Sequence, residues 1–142
     1  MIKYKSPFKE VQKNISENEI ASIVINCAII VHRELGPGLL ETIYERCLIY
    51  ELEKEGLFIE HQKKIPVNYK GINFELGFRS DLIINKKVII ELKTVETLNS
   101  IHLAQILSYL KLTQLKLGII LNFNTNLMKY GIKRVVNELN EN

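Results

Sequence analysis

Apolar positions recur at helical spacing from Ile20 through Ile23, Val24, Cys27 and Val31, which predicts an amphipathic helix. Ile25, Ile29 and Ile30 widen its apolar surface, so burial on more than one side is expected. Ser16-Glu17-Asn18-Glu19 fits a capping box at its start, and Gly36-Pro37-Gly38 ends it. A second helix is predicted from about Leu39 to Glu55, stopped by Gly56. The period then changes to two. Ile65, Val67 and Tyr69 alternate with polar residues, Lys70-Gly71 makes a turn, and Ile72, Phe74 and Leu76 alternate again. A two-residue loop pairs Tyr69 with Ile72 and Val67 with Phe74, giving one apolar face. Gly77 predicts a kink or bulge.

Two further strands follow, Asp81–Ile84 and Val88–Lys93. If Asn85-Lys86-Lys87 is their loop, Ile84 pairs with Val88, Leu82 with Ile90, and Asp81 with Glu91. A two-residue loop would set Asp81 against Ile90, because a one-residue slip turns every side chain over. The apolar match selects the first register. A helix capped by Asn99 or Ser100 is predicted to run to about Leu112, then a buried strand from Leu117 to Phe123. Met128 to Leu139 forms a short element whose type the pattern leaves open. The order gives an α/β domain with a mixed sheet: a tail over residues 1–15 and one domain over 16–142.

A hydrophobic content of 46% supports a packed core and argues against disorder. The net charge of +3 is compatible with a polyanionic partner without requiring one. Cys27 and Cys47 lie in apolar helical patterns and read as buried thiols in a reducing compartment. No apolar run is long enough to span a bilayer, and the N-terminus lacks a signal-like segment. The expectation is a cytoplasmic protein without a membrane partner.

The preferred register puts Asp81 and Glu91 side by side, with Lys93 on the same face one step further along. Like charges facing each other on a sheet repel, and a divalent cation offsets the repulsion. Oxygen-only ligands suit Mg2+ or Mn2+ rather than zinc or copper. The plain alternative is a solvated Glu91–Lys93 ion pair at a strand end. Glu41, in the first turn of the second helix, either complements the helix dipole or delivers a third carboxylate. His102, Gln105 and Tyr109 form a polar stripe at i, i+3 and i+7. That stripe is either a solvated helix face or a substrate-positioning face, since its helix starts seven residues after Lys93. His32 reads as a helix C-terminal partner, and Lys129, Lys133 and Arg134 as solvated charges or minor phosphate contacts. No nucleophile elbow, phosphate-cradling loop, dinucleotide fingerprint or zinc spacing is present.

Gly38-Leu39-Leu40-Glu41-Thr42-Ile43-Tyr44 fits a G-x-x-E-x-x-Y motif, and Asp81 with Glu91-Leu92-Lys93 fits a D…E-x-K core. Gln105-Ile106-Leu107-Ser108-Tyr109 fits Q-x-x-x-Y. In this order and at these spacings, from about Ile20 to Val136, the chain resembles the GxxExxY family of the PD-(D/E)XK nuclease superfamily. The resemblance implies a restriction-endonuclease-like core, a mixed central sheet flanked by helices. It implies a catalytic set of Glu41, Asp81, Glu91 and Lys93. Asp81, Glu91, Glu41 and the Leu92 carbonyl would hold one or two Mg2+ ions (or Mn2+), and Lys93 would help activate water. Gln105 and Tyr109 would position phosphate or metal-bound water. Gly77 stands one residue further from Asp81 than the G-x-x-D of RecB-like enzymes. The expected partner is DNA or RNA. With no separate DNA-binding domain predicted, a homodimer or a partner would have to supply specificity. A non-catalytic binding or assembly module, or a hydrolase of small phosphodiesters, are the other readings.

Overall fold

The computed structural model describes residues 8–12 and 14–140. Helix α1 spans Glu17–Leu35, and the Ser16 hydroxyl accepts from the Glu19 amide at 3.2 Å, so the expected cap forms. Its buried positions, Ile20, Ala21, Val24, Cys27, Ala28, Val31 and His32, make one stripe. The expected widening is partial: Ile25 is half-buried and Ile29 is half-buried against the core, but Ile30 is not. Ile30 shares its side of the helix with Ser22, Asn26 and Arg33 and is 47% exposed. Helix α2 spans Glu41–Lys54, starting later than the apolar pattern suggests. The reason is Tyr44, whose hydroxyl donates to the Gly36 carbonyl at 2.5 Å and accepts from the Leu39 amide at 3.1 Å. This clamp holds residues 36–40 as a loop. Gly36 has φ +70°, Gly38 φ +101°, and both lie in the region that glycine enters most easily. The Tyr44 ring stacks on Phe123 with centroids 4.6 Å apart.

The strands are β1 (Ile59–Tyr69), β2 (Ile72–Ile84), β3 (Val88–Lys93), β4 (Leu117–Asn122) and β5 (Ile132–Val136), with helix α3 (Ser100–Thr113) between β3 and β4. They form one five-stranded sheet in the order β1-β2-β3-β4-β5. Neighbours are antiparallel except β3 and β4, which are parallel. This is the mixed sheet flanked by helices that the sequence implies, a restriction-endonuclease-like α/β core.

The predicted β2–β3 register is observed: Leu82 faces Ile90 and Ile84 faces Val88. So is the β1–β2 turn register, Tyr69 with Ile72 and Val67 with Phe74. The strand around Asp81 is not separate from the one around Phe74. Both belong to β2, whose register with β1 shifts between Phe74 and Phe78, the stretch that contains Gly77. β1 starts at Ile59, six residues before its alternation becomes visible, because Glu60, His61, Gln62, Lys63 and Lys64 mask it. The C-terminal element resolves into a short 3-10 turn, Met128–Gly131, and β5 on the far edge of the sheet.

Two apolar layers sandwich the sheet. On one face Leu82, Ile84, Val88, Ile90 and Leu92 pack with α1 and α2; on the other Ile83, Ile89 and Ile120 pack with Ile106, Tyr109 and Leu110 of α3. Gly118 lets α3 approach β4, since a β-carbon there would lie 2.7 Å from Ile106 Cδ1. Residues 8–12, within the expected tail, lie along the end of α2: Lys9 N donates to the Lys54 carbonyl and Gln12 N to that of Gly56. Among the described residues no helix is long and apolar enough to cross a membrane.

Candidate metal centre

The end of the sheet where β3 finishes meets the first turn of α2. There one carboxylate oxygen each from Glu41, Glu45 and Asp81 lie within 4.8 Å of one another. Glu41 and Glu45 are one helical turn apart and therefore share a face of α2. The Tyr44 clamp fixes where that helix begins and so where Glu41 stands. Asp81 arrives from β2. Its carboxylate does not continue the ladder but accepts from the Leu92 amide at 2.8 Å, while its own amide donates to Glu91 Oε1 at 3.3 Å. The last regular rung is therefore Leu82–Ile90, and Asp81 and Glu91 bond across the opening strands.

Glu91 is 6% exposed. Its carboxyl is pushed up to about 9 by burial, then by the Asp81 charge and a hydrogen bond between the two side chains; the Asp81 amide and the Lys93 charge oppose the shift. It is therefore protonated at neutral pH in the metal-free protein. No ion pair within 4 Å joins Glu91 to Lys93 among the described residues, so the solvated-pair alternative does not describe this site. Glu41 is also raised, by burial, then Asp81, with Lys93 opposing and Glu45 adding. Lys93, half-buried at the end of β3 opposite Asn122, thus acts on both acids through its charge. Tyr109, buried on α3, is pushed up to about 12, first by burial and then by the charges of Glu91 and Asp81.

Three residues at this site were not singled out from the sequence. Glu45, 5% exposed, accepts from His61 Nε2 and from Gln62 Nε2 at 3.2 Å. Gln62 Nε2 also reaches Asp81 Oδ1 at 3.3 Å, so one amide bridges two acids. Gln62 sits in β1 across from Asp81 but has φ +53°, a left-handed conformation inside a strand. Such a conformation costs a non-glycine residue about 1–2 kcal/mol. The i, i+4 relation of Glu41 and Glu45 was the one signal available in the sequence. Nothing in the chain marks Gln62.

The remaining candidates lie differently. His102 completes a capping box with Asn99: its Nδ1 accepts from the Asn99 amide at 3.1 Å. Gln105 is exposed on α3, one turn before Tyr109, and none of the described hydrogen bonds ties it to the acids. His32 is buried at the end of α1 and bonds to the Thr125 carbonyl at 2.7 Å; because a carbonyl only accepts, Nε2 carries the proton. Lys129, Lys133 and Arg134 are exposed, on the 3-10 turn and β5.

The donor set fits a hard divalent cation. It is all oxygen, it is crowded enough to need neutralising, and it is held by hydrogen bonds from His61, Gln62 and the Leu92 amide. Two carboxylates about 4 Å apart repel by roughly 4 kcal/mol at an effective dielectric near 20. The sequence model of the PD-(D/E)XK nuclease superfamily matches residues 18–135, a span that includes every residue of this cluster. No curated protein and no solved structure matches the chain.

Proposed function

The chain belongs to the PD-(D/E)XK nuclease superfamily, and from that premise we propose that it is a nuclease that hydrolyses nucleic-acid phosphodiesters with Mg2+ or Mn2+. The observation that carries this reading is the convergence of Glu41, Glu45 and Asp81 within 4.8 Å, beside Glu91 and Lys93. Glu41, Glu45 and Asp81 would hold the ion, with Glu91 and the Leu92 carbonyl completing its shell. The ion supplies charge neutralisation for the anionic phosphodiester and lowers the pKa of bound water.

The protein groups have separable tasks. The Leu92 amide and Gln62 orient the Asp81 carboxylate, and His61 with Gln62 orients Glu45. Lys93 stabilises the hydroxide that attacks phosphorus and the extra negative charge of the transition state. Tyr109, a phenol protonated at neutral pH, remains a hydrogen-bond donor on the face of α3 that packs on β3. Gln105, exposed one turn away, meets the substrate phosphate, and His102 fixes the start of the helix that presents both.

Calorimetric titration with Mg2+ and Mn2+ tests the site. The wild type should bind, Asp81→Asn should not, and Lys93→Ala should bind but fail to cleave single- or double-stranded DNA or RNA. Absence of both binding and cleavage in the wild type would move the assignment to a non-catalytic module. Turnover of small phosphodiesters with polynucleotides left whole would restrict the substrate instead.

A further inference from the structure

Beyond the site, β1 and β2 continue as a hairpin. The rung at Lys63–Ser80 lies next to Gln62 and Asp81, and the tip is the Tyr69–Ile72 rung six residues further along β1. At about 3.3 Å per residue the arm reaches on the order of 20 Å from the acidic cluster. From Pro66 to Glu75 every residue is exposed except the half-buried Val67, so no helix covers it. A two-stranded ribbon without cover is only marginally stable in water.

Its side chains are not those of an inert spacer. Tyr69 is 57% exposed, Ile72 56% and Phe74 47%, and the register sets all three with Val67 on one face. The ammonium of Lys70 lies 5.3 Å from the centroid of the Tyr69 ring. Residues 63–79 hold four basic side chains, Lys63, Lys64, Lys70 and Arg79, against one acid, Glu75, a net +3 equal to that of the entire chain. Lys63 is paired with Glu60 at 2.7 Å, which leaves the other three without a described ion pair. At the base of the arm Lys63, Lys64 and Lys86 line a cleft of about 330 Å3.

We infer that this arm is a docking surface for single-stranded nucleic acid. Bases stack on Tyr69 and Phe74, and Lys64, Lys70 and Arg79 meet the backbone phosphates. Exposed aromatic rings beside cations are what a sequence-tolerant single-strand platform requires. The other natural occupant, a second copy of the chain, fits less well. Four apolar side chains fall far short of the roughly 800 Å2 per partner that a stable interface buries, and two arms of the same positive charge repel. The inference rests on the nuclease reading for its geometry, since a strand engaged at Asp81 and running along the arm would reach the tip. It explains how so small a domain holds a polynucleotide.

The test is fluorescence anisotropy of a labelled 12-nucleotide single strand in EDTA, which prevents cleavage, with wild type, Tyr69→Ala/Phe74→Ala and Lys70→Ala. Each lost aromatic should weaken binding by about tenfold, and loss of Lys70 should weaken binding and flatten its salt dependence. Circular dichroism and Mg2+ titration of the same variants show whether the core and the acidic cluster survive, so failure of the arm and failure of the metal site read separately. Equal affinity of wild type and the double variant, or no binding by the wild type, overturns the inference. So does a wild-type dimer in sedimentation that the double variant dissolves.

Discussion

Replacing Glu91 by Gln should make the metal-free protein more stable at neutral pH. The folded protein holds the Glu91 proton up to about pH 9, whereas the ordinary value is 4.5. Between those values the unfolded chain has lost a proton that the folded chain keeps. Stability then falls as pH rises, by about 1.4 kcal/mol per unit for one proton. The contribution is complete below about pH 4.5 and is gone once the pH passes about 9. Wild type should therefore lose about 3 kcal/mol between pH 5 and pH 7, and Glu41, shifted in the same direction, adds to the slope. A glutamine amide copies the shape of the protonated carboxyl, and its oxygen still accepts from the Asp81 amide. The variant should match wild type near pH 4.5 and exceed it increasingly above. Urea unfolding at several pH values in EDTA reads this directly, from the midpoint at constant m. A variant that retains the wild-type slope, or is less stable at pH 7, would refute the claim that a buried Glu91 carboxyl dominates the pH dependence.

The same shift implies that metal binding at pH 7 displaces about one proton from Glu91. Calorimetry with Mn2+ in buffers of different ionisation enthalpy counts it, and a count of zero sinks the assignment. Tyr44→Phe removes the bonds to Gly36 and Leu39 and should lower stability by about 1–2 kcal/mol in urea. It should also weaken Mg2+ binding by loosening Glu41; unchanged affinity would separate the clamp from the site. Gln62→Gly accepts the left-handed backbone but deletes the bridging amide. Its midpoint in EDTA should move by less than about 1 kcal/mol, while Mn2+ affinity falls about tenfold; equal loss of both would make Gln62 a folding residue. Gly118→Ala forces a β-carbon against Ile106 and should cost about 1–3 kcal/mol, seen as a lower thermal midpoint with metal affinity intact.

Asp81 and Glu91 were legible because period-two alternation, one loop length and the apolar match on either side leave a single consistent register. That register depends on Leu82, Ile84, Val88 and Ile90, which all seek the same layer. The Val67–Phe74 and Tyr69–Ile72 pairs were legible for the same reason, although the face they make is exposed rather than buried. The first half of β1 was hidden because its sequence is polar and its burial is partial. Glu45 and Gln62 were hidden more deeply. Glu45 looks like a surface acid on an amphipathic helix until β1 lies beside it. Gln62 contributes through a backbone conformation that breaks the pleat, and pattern reading assumes an unbroken pleat.

Those hidden features share a location. The left-handed Gln62, the buried Glu91 carboxyl and the crowding of Glu41, Glu45 and Asp81 are three separate departures from what a stable fold prefers, and all three fall at one end of the sheet. At many other positions propensity, register and burial agree: Ser16 caps α1, Gly118 makes room for Ile106, and Leu82 faces Ile90. A chain held only by selection for stability could relax each departure independently, with glycine at position 62 and glutamine at position 91. Local conflict concentrated where a fold is otherwise consistent is the expected signature of a working site. A divalent cation would remove the conflict in a single step. It would neutralise the crowded acids, displace the Glu91 proton and give the Gln62 amide a geometry to maintain. The stability deficit of the metal-free site and its affinity for the ion should therefore change together across Glu41, Glu45, Asp81 and Glu91 variants.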